Sequence, residues 1–337
     1  MKVKALLFIC LCFAAASVAD SNTSIVPSSD VLLQTPQEIE ISELKERVQE
    51  LEDELAGYKK VKPLSSKPLL VTKIKKANIA KSISEEKKFV MSNMPPKTLS
   101  VYYSAAPQTV NDIIWKLEVN GFTVLAKDKI LEGKTVVTFT NEALTNTNSF
   151  LSVLHLLVNE DKEIRVQNPS YFGAAFLQDK YRYGDFNTTL HALNRALDGM
   201  YEVKDKYKFT DLATYHFMIG MPRVGDTIVL AKGDDLLSKV NDVNASKHIA
   251  YTLPLPDGSV LVGHKLKQTT YEYLKKIKAE NNALLFPYNV IISENRAYML
   301  APKYYLALSL PLLSMTDFLQ IVSAPEVIGE DIKQVYK

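Results

Sequence analysis

Cysteine is nearly missing from this chain: Cys10 and Cys12 are the only two in 337 residues. Both sit in an apolar run, Ala5 to Val18, that follows Lys2 and Lys4. A positive start, a short apolar stretch and small residues at Ser17 and Ala19 read as a secretory signal over 1–19, cleaved after Ala19. The run is shorter than the roughly 20 residues a membrane-spanning helix needs. Bulky Ile9 and Leu11 before the two cysteines argue against a lipoprotein anchor. The expected mature chain therefore carries no thiol. That excludes cysteine nucleophiles, zinc–thiolate sites, iron–sulfur clusters and disulfides. An exported chain without disulfides fits a bacterial periplasm. Sequons at Asn22, Asn187 and Asn244 keep a eukaryotic secretory route open.

Glycine is also scarce, with 12 residues, too few for a glycine-rich phosphate-binding architecture. Charge of one sign is lacking, with 40 Lys and Arg against 38 Asp and Glu. A wholesale nucleic-acid binder is far more basic, so nucleic acid is not an expected partner. Tryptophan occurs once and tyrosine 17 times, which fits a core containing sheet. No H-E-x-x-H, G-x-S-x-G, Walker or EF-hand pattern occurs, and no cofactor is expected.

What is present begins after a polar stretch, 20–37, with no period and the composition of a disordered segment. Residues 38–62 then read as a coiled coil. Ile41, Val48 and Leu55 fall at heptad position a, and Leu44, Leu51 and Tyr58 at d. In a parallel pair of such helices, Glu40 faces Lys45, Arg47 faces Glu52, and Glu54 faces Lys59, all of opposite charge. A helix packed on its own domain has no need of that match, although about three heptads are marginal alone. The expected partner is the chain itself, as a dimer or trimer. Ile and Val at a lean towards two strands.

Residues 63–97 form a basic linker. With the end of the helix, the lysines at 59, 60, 62, 67, 73, 75, 76, 81, 87, 88 and 97 face only Glu85 and Glu86. Such an arm suits an anionic envelope surface. The near-absence of interleaved arginine and aromatic residues favours a plain solvated linker.

From 98 to 337 the pattern is globular. Strands are expected at SVYYS, FTVLAKDKI, KTVVTFT, EIRVQNP and DTIVLAKG, with hairpins turned at Pro256-Asp257-Gly258 and at Glu294-Asn295. Helices are expected at TVNDIIWKLEVNG, SFLSVLHLLVNE, YFGAAFLQDKY, FNTTLHALNRALDGMY (capped by Asn187), DDLLSKVND and TTYEYLKKIKAENN. The mixture lacks regular strand–helix alternation, so the fold class is α+β. Two echoes raise the expectation of two similar subdomains, divided near 235. TVNDIIWKLEVNGFTVL matches TTYEYLKKIKAENNALL in period, and VQNPSYFGAAFL matches SENRAYMLAPKYYL.

One stretch has motif character. In IRVQNPSYFGAAFL a strand runs into Asn168-Pro169 and a small-residue helix follows. Such a junction leaves backbone N–H groups free for an anion. Arg165, Asn168 and Tyr171 are the candidate ligand residues, and a rigid turn docking a helix is the competing reading. Together with Val119 to Leu125, and with Leu253-Pro254 and Asp257-Gly258 before a valine-rich strand, this junction resembles the bacterial family called domain of unknown function three hundred and two. The likeness spans about 109–263, interrupted by a helical insertion between Tyr171 and Thr214. It implies a small α+β domain, no established reaction, and Asn168-Pro169 as a pocket edge. His216, Met218 and Met221 supply soft ligands for a Cu(I) site, although their spacing shares no face of a helix or strand. Leu306 to Met315 is apolar enough for a buried element or a membrane contact. Together these features predict an exported, non-enzymatic, homo-oligomeric binding or scaffold protein of the bacterial envelope. The alternative is a periplasmic ligand binder or enzyme using the Asn168-Pro169 junction.

Overall fold

The structure is a computed structural model that describes residues 87–337. The expected signal, disordered segment, coiled coil with Ile41, Leu44, Val48, Leu51, Leu55 and Tyr58, and most of the basic linker lie outside the described residues.

The chain enters through β1 (Lys87–Lys88) and β2 (Thr98–Ser100) and then builds a first module. β3 (Tyr102–Ala105) leads into helix α1 (Val110–Val119). Thr109 caps α1 by accepting from the Asp112 backbone N–H. Gly121, at φ +87°, releases the chain afterwards, as a glycine can without strain. Ile113 and Leu117, one turn apart, bury the inner face of α1. The hairpin β4 (Thr123–Leu131) and β5 (Lys134–Thr140) follows, then α2 (Glu142–Thr145). A second hairpin, β6 (Leu154–Asn159) and β7 (Ile164–Gln167), runs into α3 (Pro169–Leu177). The strands are antiparallel in the order β3-β7-β6-β5-β4.

An intervening stretch carries α4 (Asn187–Ala196), β8 (Tyr201–Glu202) and β9 (Lys206–Lys208). β8 pairs outside β3, β1 pairs outside β8, and β9 pairs with β2. A second module then repeats the first. It comprises β10 (Ile228–Lys232), α5 (Leu236–Asn241), β11 (Ile249–Pro254), β12 (Val260–His264), α6 (Gln268–Tyr271), α7 (Tyr273–Lys276), β13 (Tyr288–Ser293), β14 (Arg296–Met299) and α8 (Pro302–Ser309). Its order, β10-β14-β13-β12-β11, is that of the first module strand for strand. Helices α9 (Met315–Gln320) and α10 (Ala324–Lys333) close the chain. The mixed α+β class is thus observed.

The correspondence extends to detail. The first hairpin of each module shifts register near its start, between Val124 and Ala126 in one and between Ile249 and Tyr251 in the other. Each last strand runs into a helix with proline in its first turn, Pro169 or Pro302. The tyrosine two residues on reaches across to the other helix. Tyr171 Oη donates to the Leu308 carbonyl at 2.8 Å, and Tyr304 Oη donates to the Ala175 carbonyl at 3.4 Å. Ala175 and Leu308 each lie one turn after those tyrosines, so the two bonds are reciprocal, as across a two-fold axis. The middle connections also exchange places. Phe150 packs edge-on to Tyr298 at 6.1 Å, while the Leu284 carbonyl meets His155 Nδ1 at 2.9 Å. One hydrophobic cluster runs through both modules, from Leu99 to Tyr336.

Tyr171→Phe is expected to lower stability by about 1 kcal/mol, the usual net contribution of such a bond, and Tyr304→Phe by less because its bond is longer. Urea unfolding of the two variants and their double checks this. A Tyr171→Phe loss no larger than that of Tyr304→Phe contradicts it.

Several expectations need correction. The helix expected over Ser149 to Glu160 is strand β6, whose six residues are all buried. An apolar run covered on both faces has no period to reveal it as a strand. The helix expected over TTYEYLKKIKAENN is broken into α6, α7 and a 3-10 segment, Glu280–Leu285. Lys278, at φ +54°, interrupts it. The echo between VQNPSYFGAAFL and SENRAYMLAPKYYL matches β7–α3 with β14–α8. The other echo pairs unlike elements, because the topological counterpart of α1 is α5. Asn187 opens α4, but the residue before it, Phe186, occupies the cap position. The division near 235 falls between β10 and α5, inside the second module. The apolar run from Leu306 starts in the buried helix α8.

Candidate functional site

The Asn168-Pro169 junction lies where β7 becomes α3, at the seam between the modules. Asn168 is fully buried. Its Oδ1 accepts from the Ser170 N–H at 3.0 Å, which caps α3, and its Nδ2 donates to the Ser100 carbonyl at 2.7 Å. Tyr171 is equally buried, its hydroxyl bound to Leu308 as described, and burial pushes that hydroxyl's pKa up. Arg165 projects from β7 over the ring of Tyr102, 4.7 Å from its centroid, and pairs with Asp205 at 2.6 Å. All three lie along this junction, and each directs its polar atoms at the fold itself.

The cavity beside this junction is about 20 Å³, with Phe150, Gln167, Phe172, Phe176, Tyr288 and Tyr305 among its walls. That is room for about one water molecule. Gln167 Oε1 accepts from the His155 N–H at 2.9 Å, and its Nε2 donates to Tyr305 Oη at 3.3 Å. A larger cleft, about 330 Å³, opens where the β4–β5 turn meets the segment after α7. Its volume suits a small molecule. Its charged walls are Glu132, Lys134, Glu160, Lys275, Lys278 and Glu280, three of each sign, and Lys134 pairs with Glu160 at 3.2 Å. It has little apolar wall to strip water from a ligand.

The inner face of the first module's sheet carries the most unusual polar groups. His155 is buried and its pKa is pulled down to about 4 by that burial. Burial keeps the imidazole neutral, and the Leu284 carbonyl, an acceptor, fixes its one proton on Nδ1. Nε2 has no hydrogen-bond partner, nor does Oγ1 of Thr138, the residue directly across on β5. At the corresponding place in the second module the solution differs. The ring of Tyr251 lies over Gly263, and its hydroxyl donates to Asn289 Oδ1 at 2.5 Å. A Cβ at Gly263 would stand 2.2 Å from that ring. Gly263→Ala is therefore expected to destabilise the protein by at least 1–3 kcal/mol through overpacking. Adding Tyr251→Leu should restore much of the loss in thermal unfolding, and additive losses would contradict the packing argument.

A second buried histidine, His264 at the end of β12, has Nδ1 3.2 Å from the Val262 carbonyl and Nε2 3.0 Å from Tyr336 Oη. Neither histidine stood out in the sequence, because Leu284 and Tyr336 lie 129 and 72 residues away along the chain. Glycine at 263 was the one local signal. His216 lies in the loop before β10, with Nδ1 3.1 Å from the Thr214 carbonyl. Nearby, Phe217 packs on Phe318 at 5.3 Å, and the Met221 N–H closes a turn onto Met218. Among the described residues no group of three or more His, Cys, Asp or Glu is placed to hold a metal ion. No helix among them is long and apolar enough to cross a membrane.

No family model, no curated protein and no solved structure matches the chain.

Proposed function

We propose that this is an exported, non-enzymatic binding or scaffold protein of a bacterial envelope, which a parallel coiled coil over 38–62 gathers into a homo-oligomer. The observation that carries the reading is the heptad pattern, with every a and d position apolar and opposite charges at Glu40–Lys45, Arg47–Glu52 and Glu54–Lys59. Clustering identical domains raises avidity for a repeated surface without any new contact. The lysines of 59–97 add attraction if that surface is anionic.

The two like modules support a rigid display domain, which we read as a duplicated unit that has kept the interface of an ancestral dimer. The family resemblance fits this reading unevenly. Val119 to Leu125 and Asn168-Pro169 belong to the first module, and Leu253 to Gly258 to the second. A ligand reading of the Asn168-Pro169 junction draws less support, since Arg165, Asn168 and Tyr171 all serve packing and capping.

Native mass spectrometry of the chain from Asp20 onward tests the oligomer. The expected result is a clean multiple of the chain mass, reduced to a monomer by Leu51→Asp, which buries a charge at a d position. A wild-type monomer overturns the reading. A bound small-molecule adduct would shift support to the pocket.

A further inference from the structure

We propose that Asn244 is an N-glycosylation site, and that its co-substrate is an oligosaccharide carried on a polyisoprenyl pyrophosphate and transferred by a bacterial oligosaccharyltransferase. The inference rests on the export reading, because that transfer takes place outside the cytoplasm.

The sequence carries one pattern three times. Its sequons are Asn22-Thr23-Ser24, Asn187-Thr188-Thr189 and Asn244-Ala245-Ser246, while Asn168-Pro169-Ser170 is barred by its proline. Each of the three has an aspartate two places before the asparagine, at Asp20, Asp185 and Asp242. Asp and Glu make up only 38 of 337 residues, so composition does not account for an acid at that place every time. A carboxylate before the acceptor gives an enzyme a charged handle besides the hydroxyl after it. Bacterial oligosaccharyltransferases demand that handle, and eukaryotic ones read the tripeptide alone. The chemistry is a substitution at the sugar's anomeric carbon. The Asn244 Nδ2–carbon bond forms as the carbon–oxygen bond to the pyrophosphate breaks. The lipid pyrophosphate leaves with the electron pair, and the amide nitrogen gives up one proton.

The structure selects among the acceptors. Asn22 lies outside the described residues. Asn187 is half-buried at the first position of α4, between buried Phe186 and buried Thr189. The Thr189 hydroxyl, which an enzyme must reach, accepts from Asn141 Nδ2 at 3.1 Å. Presenting Asn187 therefore means unwinding α4 from the core. Asn244 sits in the loop between α5 and a 3-10 turn at Ser246–His248. Asp242, Val243, Asn244 and Ser246 are all exposed, Val243 at 85%. Among the described residues the Asn244 carboxamide has no hydrogen-bond partner. The bonds that shape the loop are local. The Asn244 N–H donates to Asp242 Oδ1 at 2.7 Å, and Ser246 Oγ donates to the Val243 carbonyl at 2.7 Å. An enzyme can draw out so exposed a loop without disturbing a sheet or a long helix.

Peptide mass spectrometry of the full-length chain, purified from its own cells, tests the site. Trypsin releases Asn244 in residues 240–247 and Asn187 in residues 183–195. The expected result is sugar mass on 240–247, with 183–195 bare. Ser246→Ala, which keeps the nucleophile, and Asp242→Ala should each abolish that mass, and Ser246→Thr should keep it. A bare 240–247 in a chain that begins at Asp20 overturns the proposal and leaves the export reading standing. A bare 240–247 in a chain that still carries residues 1–19 overturns both. Sugar on 183–195 in place of 240–247 overturns the choice of acceptor. Sugar that persists in Ser246→Ala overturns the sequon, and sugar that persists in Asp242→Ala overturns the bacterial enzyme. The wild-type peptides decide the site whether or not any variant folds.

Discussion

Acidification from about pH 7.5 to about pH 4.5 will weaken the folded domain by about 5 kcal/mol through two histidines alone. His155 and His264 are both buried, and burial holds each imidazole at a pKa of about 4. An unfolded histidine titrates near 6.5. Between those values the unfolded chain binds more protons than the folded one, so stability falls as pH falls. The contribution is complete above pH 6.5 and exhausted below about 4, and amounts to about 2–3 kcal/mol for each histidine. Asp128 opposes this trend. Burial raises its carboxyl pKa against the pull of Lys265, 3.5 Å away, so its protonation favours the folded state as pH falls. For a domain of this size the histidine contribution alone corresponds to a shift of roughly 10–20 °C in the thermal midpoint. Thermal scans across pH measure the sum, and the C2 proton resonances of the two rings assign it. Rings that titrate near 6.5 in the folded protein would refute the buried, neutral assignment.

Asp205→Ala will destabilise the protein by about 3 kcal/mol, because it strands a guanidinium that is already largely out of water. Arg165 and Asp205 retain only 19% and 16% of their side-chain exposure and meet at 2.6 Å. The carboxylate accepts from Arg165 Nη2 while the buried Nε has no hydrogen-bond partner, so Asp205 is the main compensation for the guanidinium charge. The pair joins β7 to the segment that leads into β9, and the stack on Tyr102 holds the guanidinium over the sheet. Because desolvating two charges offsets their attraction, Arg165→Met with Asp205→Leu should lie within about 1 kcal/mol of wild type. Urea unfolding of both variants decides the matter. A loss below about 1 kcal/mol for Asp205→Ala would show that the pair is solvated and contributes little.

Local chemistry made some elements legible. Thr109 and Gly121 bracket α1 because one accepts a free N–H and the other tolerates positive φ. The β11–β12 hairpin turns at Pro256-Asp257-Gly258, where the Asp257 carboxylate accepts from both the N–H and the hydroxyl of Ser259. Glu294 and Asn295, both at positive φ, form the tight turn their position between two strands implied. β6 was illegible because burial on both faces erases periodicity. The 268–285 connection was illegible because it is shaped by what it covers. Its 3-10 segment lies over the first module's sheet, and Gln268 reaches the Ile130 carbonyl at 3.0 Å. The candidate site divides in the same way. Asn168 was visible as a junction residue from its proline neighbour, but its role as a buried cap depends on Ser100, which lies 68 residues earlier.

The sequence by itself determined the mixed α+β class, the turns, the capped helix and the Pro169/Pro302 correspondence. All of these rest on interactions within a few residues, or on side-chain types that no context changes. Only the tertiary structure decided the shared strand order of the two modules, the exchange of their middle connections and the neutral burial of His155 and His264. Each depends on groups far apart in the chain whose partners are selected by packing, and pairwise burial leaves no trace in local periodicity.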